Sequence, residues 1–140
     1  NAGFSTAAPE QIYLPVEPDL ESRTVEDQEE DPGSLLNTVR ELAQMRLAHP
    51  ALCNRSDYQV VYARPGRYPF AYLRQGGGET ILVVINPADR AVEVDVPADA
   101  VPAGLAVKQT LWGEENGLAR SGEGWKISLP GVSAGIYLLG

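Results

Sequence analysis

Cysteine, histidine and methionine occur once each in this 140-residue chain, and the first two scarcities exclude whole classes of chemistry. Cys53 alone rules out an internal disulfide and any cysteine-rich zinc site. His49 is the one imidazole, so a metal site or a Ser-His-Asp or Cys-His device would have to be built on it. Its place just before Pro50, at the end of a predicted helix, suits a side chain facing the last helical carbonyls instead. Basic residues are also few: eleven Lys and Arg stand against nineteen Asp and Glu, for a formal charge of -8. A surface of that sign repels phosphate backbones, which excludes nucleic acid as a partner. No apolar run approaches the ~20 residues of a membrane-spanning helix, and the first residues show no basic segment leading into an apolar one. The chain reads as soluble, with no membrane partner. Asn1-Ala2 opens it without an initiator methionine, so the polypeptide reads as an excised piece, and the missing leader carries no information on compartment.

What is present is organised around Thr80-Ile81-Leu82-Val83-Val84-Ile85-Asn86-Pro87. This aliphatic run is rich in β-branched residues, which are stiff at χ1 and pack well on a pleated surface. It is too short for a buried helix and is fenced by Gly76-Gly77-Gly78 and Asn86-Pro87. The run predicts a central strand covered on both faces. Upstream, residues 3–31 are rich in Pro, Ser, Thr and acidic side chains and read as an extended, loop-like segment. A helix is predicted over 32–48, with Asp31 as its N-cap and Pro32 at its first position. Leu35, Leu36, Val39, Leu42, Ala43 and Leu47 form its apolar face, and His49-Pro50 ends it. Beyond Pro50 the period falls from about 3.6 to about 2, predicting strands over 58–63, 70–74, 80–86, 92–96, 107–112, 125–129 and 135–139. Short strands at such spacing point to a mainly β fold, an antiparallel β-sandwich preceded by an extended segment and one α-helix. Gly76-Gly77-Gly78 turns one strand back on the next, and Pro87-Ala88-Asp89-Arg90 is expected to start another hairpin.

No catalytic, cofactor-binding or metal-binding residue is assigned from these patterns. The acidic run Glu26-Asp27-Gln28-Glu29-Glu30-Asp31 has the clustered carboxylates that calcium favours. Its position just ahead of a helix makes it better read as charge set against the helix dipole. Gly76-Gly77-Gly78 lacks the strand-then-helix setting of a phosphate cradle. Asn54-Arg55-Ser56 matches a glycosylation acceptor and marks a surface loop. Aromatic faces can stack on sugar rings. Trp125 alternates with Ile127 and Leu129 and reads as core, whereas Trp112, at a strand end beside Gly113-Glu114-Glu115, is the better platform.

The order of Gly3-Phe4-Ser5, Tyr13-Leu14-Pro15, Val25-Glu26-Asp27-Gln28, Ser34-Leu35-Leu36-Asn37 and Arg46-Leu47-Ala48-His49-Pro50-Ala51-Leu52 resembles the last barrel segment of glycoside hydrolase family 13. The similarity is greatest to its α-glucosidase, oligo-1,6-glucosidase and trehalose-synthase-like branch. Tyr68-Pro69-Phe70-Ala71-Tyr72, the run from Ile81 to Pro87, and Ser133-Ala134-Gly135-Ile136-Tyr137-Leu138 are similar to strands of that family's C-terminal β-domain. Leu47 departs from the pattern, which more often has lysine there. The resemblance implies that residues 1–52 end a catalytic barrel, as a loop and the last helix, and that 53–140 form the C-terminal β-sandwich. It also implies a parent enzyme that is retaining and acts on α-glucosidic bonds of an α-glucan or maltooligosaccharide through opposed carboxyl groups. Those carboxylates would lie before residue 1, leaving this region non-catalytic and stabilising the barrel. The alternatives are a carbohydrate-binding sandwich using Trp112 or tyrosines, or a parent that is a trehalose synthase or glucosyltransferase. Without the barrel, the helix stripe is expected to bury itself on the sandwich or on a second copy, giving a homodimer.

Overall fold

The computed structural model describes residues 5–15 and 24–140. The Gly3-Phe4 part of the opening motif and the expected extended course of 16–23 lie outside them. Two compact units are present, Asn1–Met45 and Arg46–Gly140.

In the first unit, a 3-10 turn at Pro9–Gln11 is followed by helix α1 (Val25–Glu30) and the start of helix α2 (Leu35–Ala48). The acidic run, expected to be irregular, forms α1. Thr24 explains it: its hydroxyl oxygen accepts from the Asp27 N–H at 3.1 Å, and its O–H donates to Asp27 Oδ2 at 2.6 Å. Glu26 and Asp27 then occupy the first turn, where the helix dipole favours anions. Asp31 is not the N-cap of the second helix but closes the first, its N–H reaching Asp27 O at 3.2 Å. A turn through Pro32-Gly33 follows, and Ser34 takes the cap, its Oγ accepting from Asn37 N–H at 3.2 Å. The helix therefore begins at Leu35 rather than at 32. Asn37 Nδ2 ties the two helices together, donating to the Gln28 and Asp31 carbonyls at 2.8 Å each. Part of the apolar stripe of α2 is left open: Leu35, Val39 and Leu47 are 73%, 54% and 78% exposed, whereas Leu36 and Leu42 are half-buried.

The second unit is an antiparallel sandwich. Strands β1 (Asp57–Arg64), β2 (Arg67–Gly76), β3 (Glu79–Asn86), β4 (Val92–Val96), β5 (Val107–Trp112), β6 (Leu118–Ser121), β7 (Gly124–Leu129) and β8 (Ser133–Leu139) follow in chain order. One sheet has the order β1-β2-β3-β8-β5 and the other β4-β7-β6. The central-strand expectation holds, because β3 is third of five. Leu82 and Val84 point into the core between the sheets, with Trp125, Ile127, Leu129 and Tyr137. Ile81 and Val83 are buried on the opposite face with Ala51. Coverage fails only at the last aliphatic residue, Ile85, which is 37% exposed.

Strand β6 escaped the sequence reading. It is four residues long with one buried side chain, Leu118, too short to show alternation. The hairpin expected after β3 is also absent: residues 87–91 carry the chain to the other sheet, where β4 pairs with β7. Asn86 fixes that crossing. Fully buried, its Nδ2 donates to Arg90 O at 2.9 Å and Pro130 O at 2.6 Å, and its Oδ1 accepts from Ala88 N–H at 3.3 Å. One amide thus holds the β3–β4 and β7–β8 connections against each other.

Tyr137 fills the centre of the core and folds back over Gly135. A Cβ on Gly135 would stand 2.5 Å from the ring's Cε2, so glycine is what admits the ring. The Tyr137 O–H donates to the Glu114 carbonyl at 3.1 Å. Burial, and then the nearby charge of Glu114, push its phenol up from 10.0 to about 12. An unfolded phenol ionises first, so the stabilisation is complete below pH 10 and is lost as pH rises through about 12.

In urea titrations, stability should fall between those two pH values, and Tyr137→Phe should flatten that fall without abolishing it, because Tyr72 is raised as well. Gly135→Ala should cost about 1–3 kcal/mol at neutral pH by overpacking. Replacing the buried Asn86 by leucine, which takes the donor from the Arg90 and Pro130 carbonyls, should cost a similar 1–3 kcal/mol or so.

Candidate functional site

A densely bonded site outside the core is the segment that joins α2 to β1. His49 to Cys53 lies across the outer face of the five-stranded sheet, the face turned away from the three-stranded one. Pro50–Leu52 form a 3-10 turn, and Ala51, with 0% exposure, packs with Ile81 and Val83. A turn pressed onto a sheet has backbone groups that no ladder satisfies, and side chains of β2 and β3 satisfy them here. Glu79 accepts at both oxygens: from Ala51 N–H at 3.3 Å, and across 3.0 Å from His49 Nδ1. Arg74 Nε donates to Ala51 O at 3.2 Å, and its second arm donates to Cys53 O. Ser56 Oγ donates to Pro50 O at 2.7 Å.

The hairpin tip completes the clamp. Gly77-Gly78 form a two-residue turn between β2 and β3, with φ of 61° and 81°, the left-handed pair such a turn requires. At Gly77 a Cβ would meet Pro50 Cβ at 2.5 Å. Glycine is needed there twice over, for φ and for the close approach of the proline.

His49 does not face the last carbonyls of α2, as expected, because Glu79 outcompetes them with a charged acceptor on the neighbouring hairpin. Cys53 is half-buried, and its Sγ lies 3.9 Å from Arg46 O. Asn54 sits in an exposed loop. Among the described residues no group of three His, Cys, Asp or Glu side chains is placed to hold a metal ion. Sequence reasoning missed Glu79 and Arg74, which read as ordinary strand polars. The signal that was available is their register: they flank the triple glycine on which the turn sits.

Away from the clamp, the outer face remains apolar and partly open. Tyr58, Tyr72 and Phe70 run across β1 and β2 with ring centroids 5.1 and 5.5 Å apart, and Tyr58 and Val60 are about half exposed. Burial, and then Tyr58, raise the Tyr72 phenol, with Arg74 opposing. Trp125 is core, as expected, at 2% exposure, with the Arg120 guanidinium 4.2 Å from its ring centroid. Trp112 lies at the opposite edge of the sheet, at the rim of a cleft of about 530 Å³ with Glu114, Val132 and Ser133.

Residues 58–136 match the family model described as maltogenic amylase, C-terminal domain. The trehalose synthase/amylase TreS of Mycobacterium tuberculosis is 37% identical over 93 residues, which is 61% of this chain and 15% of that protein. The amino acid transporter heavy chain SLC3A2 of Rattus norvegicus is 33% identical over 119 residues, 81% of this chain and 22% of its own length. The solved structure of the trehalulose synthase MutB from Pseudomonas mesoacidophila MX-45 superposes with a TM-score of 0.68 at 26% identity. That superposition covers 91% of this chain and 22% of MutB. The chain thus spans between 15% and 22% of these three proteins. The family match runs from the start of β1 into β8, over more than half of the chain, and so the chain belongs to the maltogenic amylase C-terminal domain family of glycoside hydrolase family 13.

Proposed function

We infer that this chain is the non-catalytic C-terminal region of a retaining family 13 enzyme acting on α-glucosidic bonds, and that it stabilises that enzyme's barrel. Residues 1–52 complete the barrel as its last loop and helix, and 53–140 form the sandwich. The clamp on His49 to Cys53 carries the inference. Glu79, Arg74 and Ser56 spend their bonding capacity on a stretch of connecting backbone, which is what a device for fixing a helix end to a sheet requires.

The apolar half of the outer face supports the same reading. Tyr58, Val60, Phe70 and Tyr72 form a patch of the kind that soluble monomers seldom leave uncovered, and the occupant proposed for it is the barrel. The open stripe of α2, with Leu35, Val39 and Leu47 exposed, is the barrel-facing side of the last helix. A relative named as a transporter heavy chain rather than as a hydrolase supports a role that does not depend on catalysis. When the barrel is absent, the α2 stripe is free to meet a second copy, and the isolated chain is proposed to dimerise through it.

In the full enzyme, Glu79→Ala and Arg74→Met should each lower the melting temperature, by the loss of about 1–3 kcal/mol of satisfied buried bonding. The kcat/KM of the folded enzyme should stay as it was. Loss of kcat/KM at an unchanged melting temperature would count against a purely supporting role, and cleavage of an aryl α-glucoside by this chain alone would overturn it. Light scattering of the isolated chain at high concentration should show a dimer that Leu35→Lys and Val39→Lys disperse.

A further inference from the structure

The corner of the five-stranded sheet away from the clamp holds a cleft that the barrel-supporting role leaves unused. It is bounded by the end of β3, the end of β5 and the start of β8, and its walls are Trp112, Glu114, Val132, Ser133, Ile85 and Pro87. It is an open depression of about 530 Å³ whose walls combine apolar and aromatic side chains with a few polar groups, as small-molecule sites do.

Three features distinguish it from an ordinary surface dent. The first is the way the rim is built. Gly113 has φ of 85°, and a Cβ on it would lie 2.3 Å from the Ala134 carbonyl oxygen. Glycine there lets the chain leave β5 tight against β8. Trp112 and Glu114, on either side of it, therefore line one cleft.

The second is the carboxylate. The backbone of Glu114 is fixed, since its carbonyl accepts from Tyr137 O–H at 3.1 Å. Its side chain is exposed and makes no hydrogen bond or ion pair with the described residues. An acceptor with both oxygens open thus stands two residues from an indole.

The third is Val132. It is the one non-glycine described residue with positive φ, 47°, a conformation that a β-branched residue adopts only under constraint. Its N–H donates to Ala88 O at 2.7 Å, and the Asn86 side chain holds the adjoining Pro130 carbonyl. The result is a valine side chain 76% exposed at the lip of the cleft. Backbone strain kept by surrounding bonds collects at ligand-binding and switch regions.

We propose that this cleft is a secondary binding site for an α-linked glucose unit, stacked on Trp112 and hydrogen-bonded through its hydroxyls to the Glu114 carboxylate. A pyranose presents a C–H face to the indole and hydroxyl donors at its edge, which is the pairing this rim offers. Anions are disfavoured by the chain's charge of -8. The choice of an α-glucoside rests on the family 13 reading. The site itself lies on β5, at the opposite sheet edge from Tyr58 and Val60 of β1, so the two surfaces can be occupied at once.

The test is titration of this chain with maltotriose, followed by the indole N–H resonances in a ¹⁵N-correlated spectrum. Trp112 should shift saturably in the millimolar range while buried Trp125 stays in place. Trp112→Ala should abolish the heat measured by calorimetry, and Glu114→Gln, which keeps the side chain's size, should weaken binding at least fivefold with an unchanged fold. Absence of a saturable Trp112 shift, or binding that survives Trp112→Ala, would overturn the site. Neither result touches the barrel-supporting role, which is read from melting temperature and turnover of the full enzyme.

Discussion

Burial of β3 on both of its faces is the constraint from which the rest of the sandwich follows. Leu82 and Val84 can leave water only if a second sheet covers them, and Ile81 and Val83 only if something lies on the outside of the first. Full burial of one such side chain is worth roughly 1.5–3 kcal/mol, so neither face can be surrendered cheaply. The three-stranded sheet solves the first requirement with Trp125, Ile127 and Leu129. The turn at Ala51 solves the second, and so the end of the helical segment is drawn into the architecture of the sheet.

Each apolar solution creates a polar problem, and the two ends of β3 show the answers. At its start, the covering turn brings unpaired backbone onto the sheet, and Glu79 and Arg74 satisfy it from the strands beneath. At its end, the chain must leave one sheet for the other through connections whose carbonyls no ladder satisfies. Asn86 satisfies Arg90 and Pro130 there while being wholly buried itself. A central strand with a clamp at one end and a buried amide at the other is tied to its surroundings at both ends. That suits a region whose proposed work is to hold a helix in place.

The same frame separates three surfaces that a small domain could easily have merged. The aromatic row on β1 and β2, the clamp at the β2–β3 hairpin and the Trp112 cleft on β5 occupy different parts of one sheet. The order β1-β2-β3-β8-β5 makes this possible, because the two edge strands are kept apart by three others.

Local pattern was enough for the sandwich, the central strand, the long helix and the assignment of Trp125 to the core. In each case the information lies within a few residues: an aliphatic run between breakers, a 3.6-residue period, and alternation across Trp125, Ile127 and Leu129. Where local signals competed, sequence alone did not decide. Asp31 and Ser34 are both good N-caps, and it took Gln28 and Asn37, folded back from either side, to give Asp31 to the end of one helix and Ser34 to the start of the next. Residues 87–90 have hairpin chemistry, but whether a turn closes a hairpin or crosses between sheets depends on which strand waits on the far side, and that partner, β7, is more than thirty residues away. His49, Arg74 and Glu79 look unrelated in sequence for the same reason. Their bonding is a property of distance in space, and only the packing of a turn on a sheet brings an imidazole, a guanidinium and a carboxylate to one stretch of backbone.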